Sequence, residues 1–234
     1  MTNLKFKNMT QQPNSPDRGY RIGSIATPRV FHQLGILVLD GSGSMKEGIS
    51  ARKIHLNQEV SSAVKDTFTL FKLSSNRNNF SFAIVNYDNK ARIELDITPA
   101  TKVDDMRAYD PTVGMGGTTS IAEGLKLAKQ IAEKHLSTQE DGGIPKTAVI
   151  VILSDGLDMT EQETLTIANT LKSNDRITIT ACFFETLGGD RDGMNEAASF
   201  LKKLCSSDQH FNIVFDAEKV KNFFVASVSS KKKI

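Results

Sequence analysis

The sequence predicts an α/β protein: a doubly wound, mostly parallel sheet with one antiparallel edge strand and helices on both faces. Three observations carry this. Two runs, Ile36 to Leu39 and Ala148 to Leu153, are apolar without alternation, as in strands covered on both faces. Strand-like runs alternate with segments whose apolar residues recur at helical spacing, the order produced by parallel strands joined through crossover helices. Phe80 to Tyr87 is separated from Ala91 to Ile97 only by Asp88, Asn89 and Lys90, tight-turn chemistry that makes one neighbouring pair antiparallel. The 234 residues suit one domain with an appendage. Folding can bury about 70% of the surface of a chain this size, so neither a metal nor a disulfide is needed for stability alone.

Taken in order, residues 1–29 form a polar extension broken by Pro13, Pro16, Gly19 and Gly23. The domain is expected over 30–228. Its first strand, Phe31 to Leu39, is followed by a helix over roughly Ser50 to Leu73, with Val60, Ala63, Val64 and Phe71 at helical spacing. After the hairpin, a loop with Pro111, Gly114, Gly116 and Gly117 leads into a helix over Thr119 to His135, striped by Ile121, Leu125, Ala128 and Ala132. Asp141, Gly142, Gly143 and Pro145 interrupt the chain before the strand at Ala148. Helix 160–171, strand 177–184, helix 195–204, strand 211–215 and helix 218–227 complete the alternation, and 229–234 is a short basic tail. Sheets of this class bind ligands beyond the carboxyl ends of their strands, where the strand order reverses.

Composition removes several functions. Twenty-nine basic and 27 acidic residues leave a formal charge of +2, too balanced a field to gather nucleic acid or acidic lipid. Cys182 and Cys205 form neither a CxxC pair nor a regular framework and read as reduced, small hydrophobes. Met1 to Gln12 has no apolar stretch of signal-peptide length, and no segment approaches the ~20 apolar residues of a membrane span, so a cytoplasmic location is expected.

Directly after Leu39 the chain reads Asp40, Gly41, Ser42, Gly43, Ser44, Met45. The glycines permit a sharp loop, and Asp40, Ser42 and Ser44 place oxygen side chains on alternate residues at the sheet edge. Oxygen donors without His or Cys suit a hard cation, and few carboxylates suit Mg²⁺ better than Ca²⁺. Competing motifs fail by register. A phosphate-binding P-loop from Gly43 would need Lys where Ile49 stands, a dinucleotide fingerprint from Gly41 would need Gly at Lys46, and an EF-hand from Asp40 would need Gly at Met45. A nucleophile elbow needs glycine two residues either side of its serine, and neither Ser42 nor Ser44 has them. Taken alone, the loop is equally an Asx turn capping the next helix. Two further segments point to the same edge: Gly116, Gly117, Thr118, Thr119 at a loop-to-helix junction, and Ser154, Asp155, Gly156 after an apolar strand.

Together these residues resemble a von Willebrand factor type A (VWA) domain with a metal-ion-dependent adhesion site (MIDAS). The family's Asp-x-Ser-x-Ser loop falls on Asp40, Ser42 and Ser44, its distant Thr on Thr118, with Thr119 as the adjacent alternative, and its later Asp-Gly on Asp155 and Gly156. The hairpin Phe82 to Ile97 is similar to the family's edge hairpin, and the likeness covers roughly Val30 to Ser227. The resemblance implies the VWA, Rossmann-like fold. It implies a Mg²⁺ (or Mn²⁺) held by Ser42, Ser44 and Thr118, with Asp40 and Asp155 acting directly or through water, and an open position for an Asp or Glu of a protein partner. It is closest in type to compact stand-alone bacterial VWA proteins, including those of tellurium-resistance and stress operons, some of which work beside kinases, phosphatases or ATPases.

The expected function is therefore a non-enzymatic, Mg²⁺-dependent interaction module that binds neither nucleic acid nor membrane. The alternatives are a phosphoryl-transfer enzyme with Asp40 as nucleophile, which lacks a second Asp where Ser42 stands, and a structural subunit with a vestigial site. Glu47, Asp158, Asp190 and Asp192 read as solvated loop residues. His32, His55, His135 and His210 have no ligand spacing, and Lys231 to Lys233 read as a solvated end.

Overall fold

The computed structural model describes residues 29–138 and 143–230; the expected extension up to Pro28 and the lysines of the basic tail lie outside the described residues. Among the described residues six strands form one sheet: β1 (His32–Asp40), β2 (Phe80–Tyr87), β3 (Ala91–Pro99), β4 (Lys146–Ser154), β5 (Ile177–Phe184) and β6 (Phe211–Val214). Their order is β3-β2-β1-β4-β5-β6, with every pair parallel except β2 with β3. The α/β class, the single antiparallel edge and the tight Asp88–Lys90 turn are as the sequence predicts.

The helices are α1 (Gly43–Glu47), α2 (Leu56–Leu73), α3 (Ile121–Ser137), α4 (Glu161–Lys172), α5 (Arg191–Leu204) and α6 (Ala217–Ser229). All nine residues of β1 are buried, and alternate side chains enter two separate cores. Leu34, Ile36 and Val38 pack beneath α3, α4 and α5; Leu37 and Leu39 pack beneath α2 and α6. Burial on both faces is why β1 and β4 read as unbroken apolar runs.

Two helix starts differ from expectation. The helix expected from Ser50 starts at Leu56, because residues 48–55 form an irregular loop closed by an Ile49–His55 bridge and a left-handed Lys53 at φ 61°. The helix expected from Asn195 starts at Arg191: Asp190 accepts the Gly193 N–H at 2.9 Å and caps a first turn that has no apolar stripe to announce it.

β1 pairs with β2 on one side and β4 on the other, so successive connections leave it in opposite directions. The carboxyl ends of β1 and β4, adjacent in register at Leu39 and Leu153, are therefore the topological switch point.

Candidate metal centre

Asp40 ends β1, and Asp155 is the first residue after β4. Asp40 is fully buried. Its Oδ1 accepts the Ser42 N–H at 2.8 Å, and its Oδ2 accepts the Ser154 hydroxyl at 2.6 Å and the Tyr87 hydroxyl at 3.5 Å. The Ser42 N–H contact folds the chain back over the strand end and starts α1. The hydroxyls of Ser42 and Ser44 then stand 3.0 Å apart, and Ser44 Oγ donates to Asp155 Oδ1 at 2.8 Å. The turn requires glycine at 41, where a Cβ would lie 2.4 Å from the Pro111 carbonyl oxygen. Asp40, Ser42, Ser44 and Asp155 are thus brought together from two strands and one loop.

Of the two candidate threonines, Thr118 is exposed and Thr119 is buried. A Cβ placed on Gly156 would stand 3.9 Å from Ser44 Oγ and 4.0 Å from Thr119 Oγ1, so the Ser44 and Thr119 hydroxyls flank the same glycine. The backbone sets this register. The Met159 N–H donates to the Thr119 carbonyl and the Ser120 N–H to the Asp88 carbonyl, each at 3.0 Å. The Ile121 N–H donates to Asp158 Oδ1, also at 3.0 Å. Gly124 then packs so closely on β1 and β2 that a Cβ would meet Val38 Cγ1 at 2.7 Å and the Tyr87 ring at 3.0 Å, which fixes the height of α3.

Two carboxylates to which the sequence assigned no part in the site hold this arrangement. Asp88, in the hairpin turn, accepts the N–H groups of Gly116 and Gly117 on Oδ2, each at 3.0 Å, and that of Lys90 on Oδ1. It latches the loop that carries Thr119. Asp158, expected to be solvated, is buried and accepts the N–H of Ile121 and both the N–H and hydroxyl of Thr160. It ties the start of α3 to the loop after β4. Glu47 and Asp192 are exposed as expected, and Asp190 is exposed but engaged as the cap of α5.

Burial raises the pKa of Asp40 against the lowering effect of its hydrogen bonds from Ser154, Ser42 and Tyr87. Asp155 is pushed up to about 7, first by burial and then by the charge of Asp40. Burial and the Asp40 charge also hold the Tyr87 hydroxyl well above its ordinary value. Among the described residues no basic side chain is among the groups that shift either aspartate. Two desolvated carboxylates facing hydroxyls make an electrostatic environment that favours a bound cation.

The Ser42–Ser44 and Ser44–Asp155 separations, 3.0 and 2.8 Å, are hydrogen-bond lengths that gather these oxygen donors at one point of the sheet edge. Among the described residues no group of three or more His, Cys, Asp or Glu side chains is placed to hold a metal, so a site here depends on hydroxyls.

The von Willebrand factor type A domain family matches residues 36–226. No curated protein sequence matches the chain significantly. Among solved structures, the pilus adhesin SpaC from Lactobacillus rhamnosus GG is similar over 87% of this chain and 31% of its own, at 13% identity and a TM-score of 0.69. The vWF domain of the type V pili tip protein Mfa5 from Porphyromonas gingivalis is similar over 88% of this chain and 99% of its own, at 12% identity and a TM-score of 0.61. Proximal thread matrix protein 1 from the mussel byssus, solved with a zinc-occupied MIDAS motif, is similar over 85% of this chain and 45% of its own, at 17% identity and a TM-score of 0.54. These identities show a shared fold. This chain spans about a third of SpaC and under half of the mussel protein.

Proposed function

The chain belongs to the von Willebrand factor type A domain family, and from that premise we propose that it is a non-enzymatic interaction module acting through a divalent cation. In this proposal Ser42, Ser44 and Thr119 hold Mg²⁺ or Mn²⁺, Asp40 and Asp155 act directly or through water, and the ion takes an Asp or Glu from a partner protein. Thr119 is chosen over Thr118 on two grounds: it is buried where Thr118 is exposed, and its hydroxyl flanks Gly156, as that of Ser44 does. The observation that carries the reading is the convergence of Asp40, Ser42, Ser44 and Asp155 on one point of the sheet edge, joined by hydrogen bonds, with burial raising both carboxylates.

The bound ion supplies an electrophilic centre for an anionic oxygen. Neutral hydroxyls do not cancel its charge, and a carboxylate held off by water cancels it incompletely. One residual charge facing a carboxylate at ~4 Å, with an effective dielectric near 20, is worth about 4 kcal/mol, close to a thousandfold in affinity. Such a contact can gate binding, while the surrounding surface sets the partner.

Two observations favour binding over catalysis. Asp40 is sealed, and both of its oxygens accept hydrogen bonds, which suits positioning better than in-line attack on phosphorus. The histidines lie elsewhere: His32 meets His135 edge to face with ring centroids 4.7 Å apart, His55 precedes α2, and His210 meets Ser207 before β6. We place the module in the cytoplasm, beside a kinase, phosphatase or ATPase that offers the acid. The test is capture of binding proteins on the immobilised chain. A partner held in Mg²⁺, released by chelator and lost with Asp155→Ala supports the proposal. A partner indifferent to both overturns it.

A further inference from the structure

β6 is the last strand of the sheet, and among the described residues no strand pairs with its outer edge. Val214 turns its main chain inward, where its carbonyl accepts the Glu185 N–H at 2.8 Å. Main-chain direction alternates along a strand, so Ile213 presents its N–H and carbonyl outward. The Ile213 N–H donates to Oδ1 of the preceding Asn212 at 2.9 Å, a local contact that the carbonyl of an incoming strand can replace.

A cavity opens on each face of this edge. One of about 510 Å³ lies between β6 and a single face of α6, marked by Lys219, Asn222, Phe223 and Ala226 at spacings of three and four. The other, of about 240 Å³, lies on the side of α5 and is lined by Ile213 with Phe183, Met194 and Ala198. Val214 packs into the core beneath α6 and Phe211 against the core beneath α5, so the two cavities lie on opposite faces of the sheet. Side chains of an extended segment laid along β6 alternate between those faces, and successive residues enter one cavity and then the other.

The two cavities differ in chemistry. The larger holds Lys219, whose Nζ lies 5.7 Å from the centre of the Phe215 ring, and the carboxamides of Gln209, Asn212 and Asn222. Among the described residues no carboxylate lines it. The acids that flank it in sequence are placed elsewhere. Asp208 pairs with Lys202 at 2.9 Å, Asp216 accepts the Lys219 N–H as the cap of α6, and the exposed Glu218 is not part of the lining. The smaller cavity is apolar apart from Asn195 and two opposite charges, Glu185 and Arg191, which leave it without net charge.

We propose that the outer edge of β6 docks an extended segment of a partner protein, in which acidic and aliphatic side chains alternate, as a seventh strand of the sheet. The acid enters the cavity of Lys219, and the aliphatic side chain enters the cavity of Ile213 and Met194. Main-chain bonds to Ile213 supply the part of the affinity that any extended sequence shares. A second copy of this chain is a poorer occupant, because its own β6, Phe-Asn-Ile-Val, brings no acid to Lys219. β6 stands two strands away from β4 in the sheet, so this docking needs no metal and is independent of the function proposed above.

The probe is the acetylated, amidated peptide Ser-Val-Glu-Val-Glu-Val-Ser, with one relative carrying Gln for both Glu and another carrying Ser for the three Val. Each is titrated into the ¹⁵N-labelled full chain, once in chelator and once in Mg²⁺, and followed by amide shifts. The expected result is a shift of Asn212 to Phe215, Asn222 and Ala198 that is the same with and without Mg²⁺. The Glu peptide should bind about threefold more tightly than the Gln peptide, as an exposed ion pair allows, and about tenfold more tightly than the Ser peptide. Lys219→Ala should make the Glu and Gln peptides equal. Ile213→Pro removes an outward N–H from an edge strand and leaves the bonds to β5, so it should abolish binding while amide positions away from β6 stay as in wild type. No shift at β6, equal binding of any two of the three peptides to wild type, loss of binding in chelator, or binding retained by Ile213→Pro overturns the proposal. It is also overturned if β6 amides shift with chain concentration in the absence of peptide, which assigns the edge to a second copy, or if nuclear Overhauser contacts join β6 to residues 1–28, which assigns it to this chain's own amino-terminal segment.

Discussion

Replacing Asp88 with asparagine tests how the metal centre is held together, because the change keeps the shape and removes one acceptor. Asp88 is 2% exposed. Its Oδ2 accepts two glycine N–H groups and its Oδ1 accepts that of Lys90, all at 3.0 Å. An asparagine must point its NH₂ either at Gly116 and Gly117 or at Lys90, so at least one buried donor faces another donor whichever way the amide turns. Hydrogen bonds to a charged acceptor contribute about 1.5–3 kcal/mol each, and the bonds that survive are weakened by loss of the charge, giving a cost of about 2–4 kcal/mol. At about 2–4 °C per kcal/mol for a chain of this length, Tm should fall by about 5–15 °C. The same change frees the Gly116–Thr119 loop, so Mg²⁺ should bind at least about tenfold more weakly to the folded fraction. Thermal unfolding in chelator, paired with calorimetric Mg²⁺ titration below Tm, reads both effects. A Tm within about 2 °C of wild type and unchanged Mg²⁺ affinity would refute the latch.

Other predictions follow from the same contacts. With Asp155 raised from 3.8 to about 7, the folded state holds its proton more tightly than the unfolded chain. In chelator this contribution is complete below about pH 4 and is lost as pH rises through about 7, so urea unfolding should show a less stable protein at high pH. Since the metal displaces that proton, Mg²⁺ affinity should rise over the same window; a pH-independent affinity would count against Asp155 as a ligand. Gly124→Ala gains helix propensity of about 1 kcal/mol, yet drives a methyl into Val38 and Tyr87, and should be net destabilising by about 1–2 kcal/mol in urea titrations. Burial pushes the Cys205 thiol up to about 12 and Cys182 well above its ordinary value. Neither should react with a disulfide reagent at neutral pH until the chain unfolds.

The architecture was legible where one residue's environment decides its type. β1 and β4 are covered on both faces, so their apolar runs announced central strands, and the serine pair after Leu39 announced oxygen chemistry. The Gly-Gly pair does not choose between Thr118 and Thr119, because it fixes neither residue that follows. What turns Thr119 inward is the height of α3, set by Gly124 against Val38 and by backbone bonds to Asp88 and Met159. A helical glycine three residues after Ile121 is the local sign of that close packing. Asp88 and Asp158 were hidden for a related reason. Asp88 grips backbone N–H groups about 28 residues along the chain, and Asp158 one 37 residues back, partners with no side-chain signature.

The adjacent threonines offer the most direct test of the metal centre. Mg²⁺ is titrated calorimetrically, near pH 8, into wild type, Thr119→Ala, Thr118→Ala and Asp155→Ala. One site in wild type, retained with Thr118→Ala and lost or severely weakened in the other two, is the predicted result. No binding to wild type, or a loss with Thr118→Ala that Thr119→Ala does not share, would contradict it.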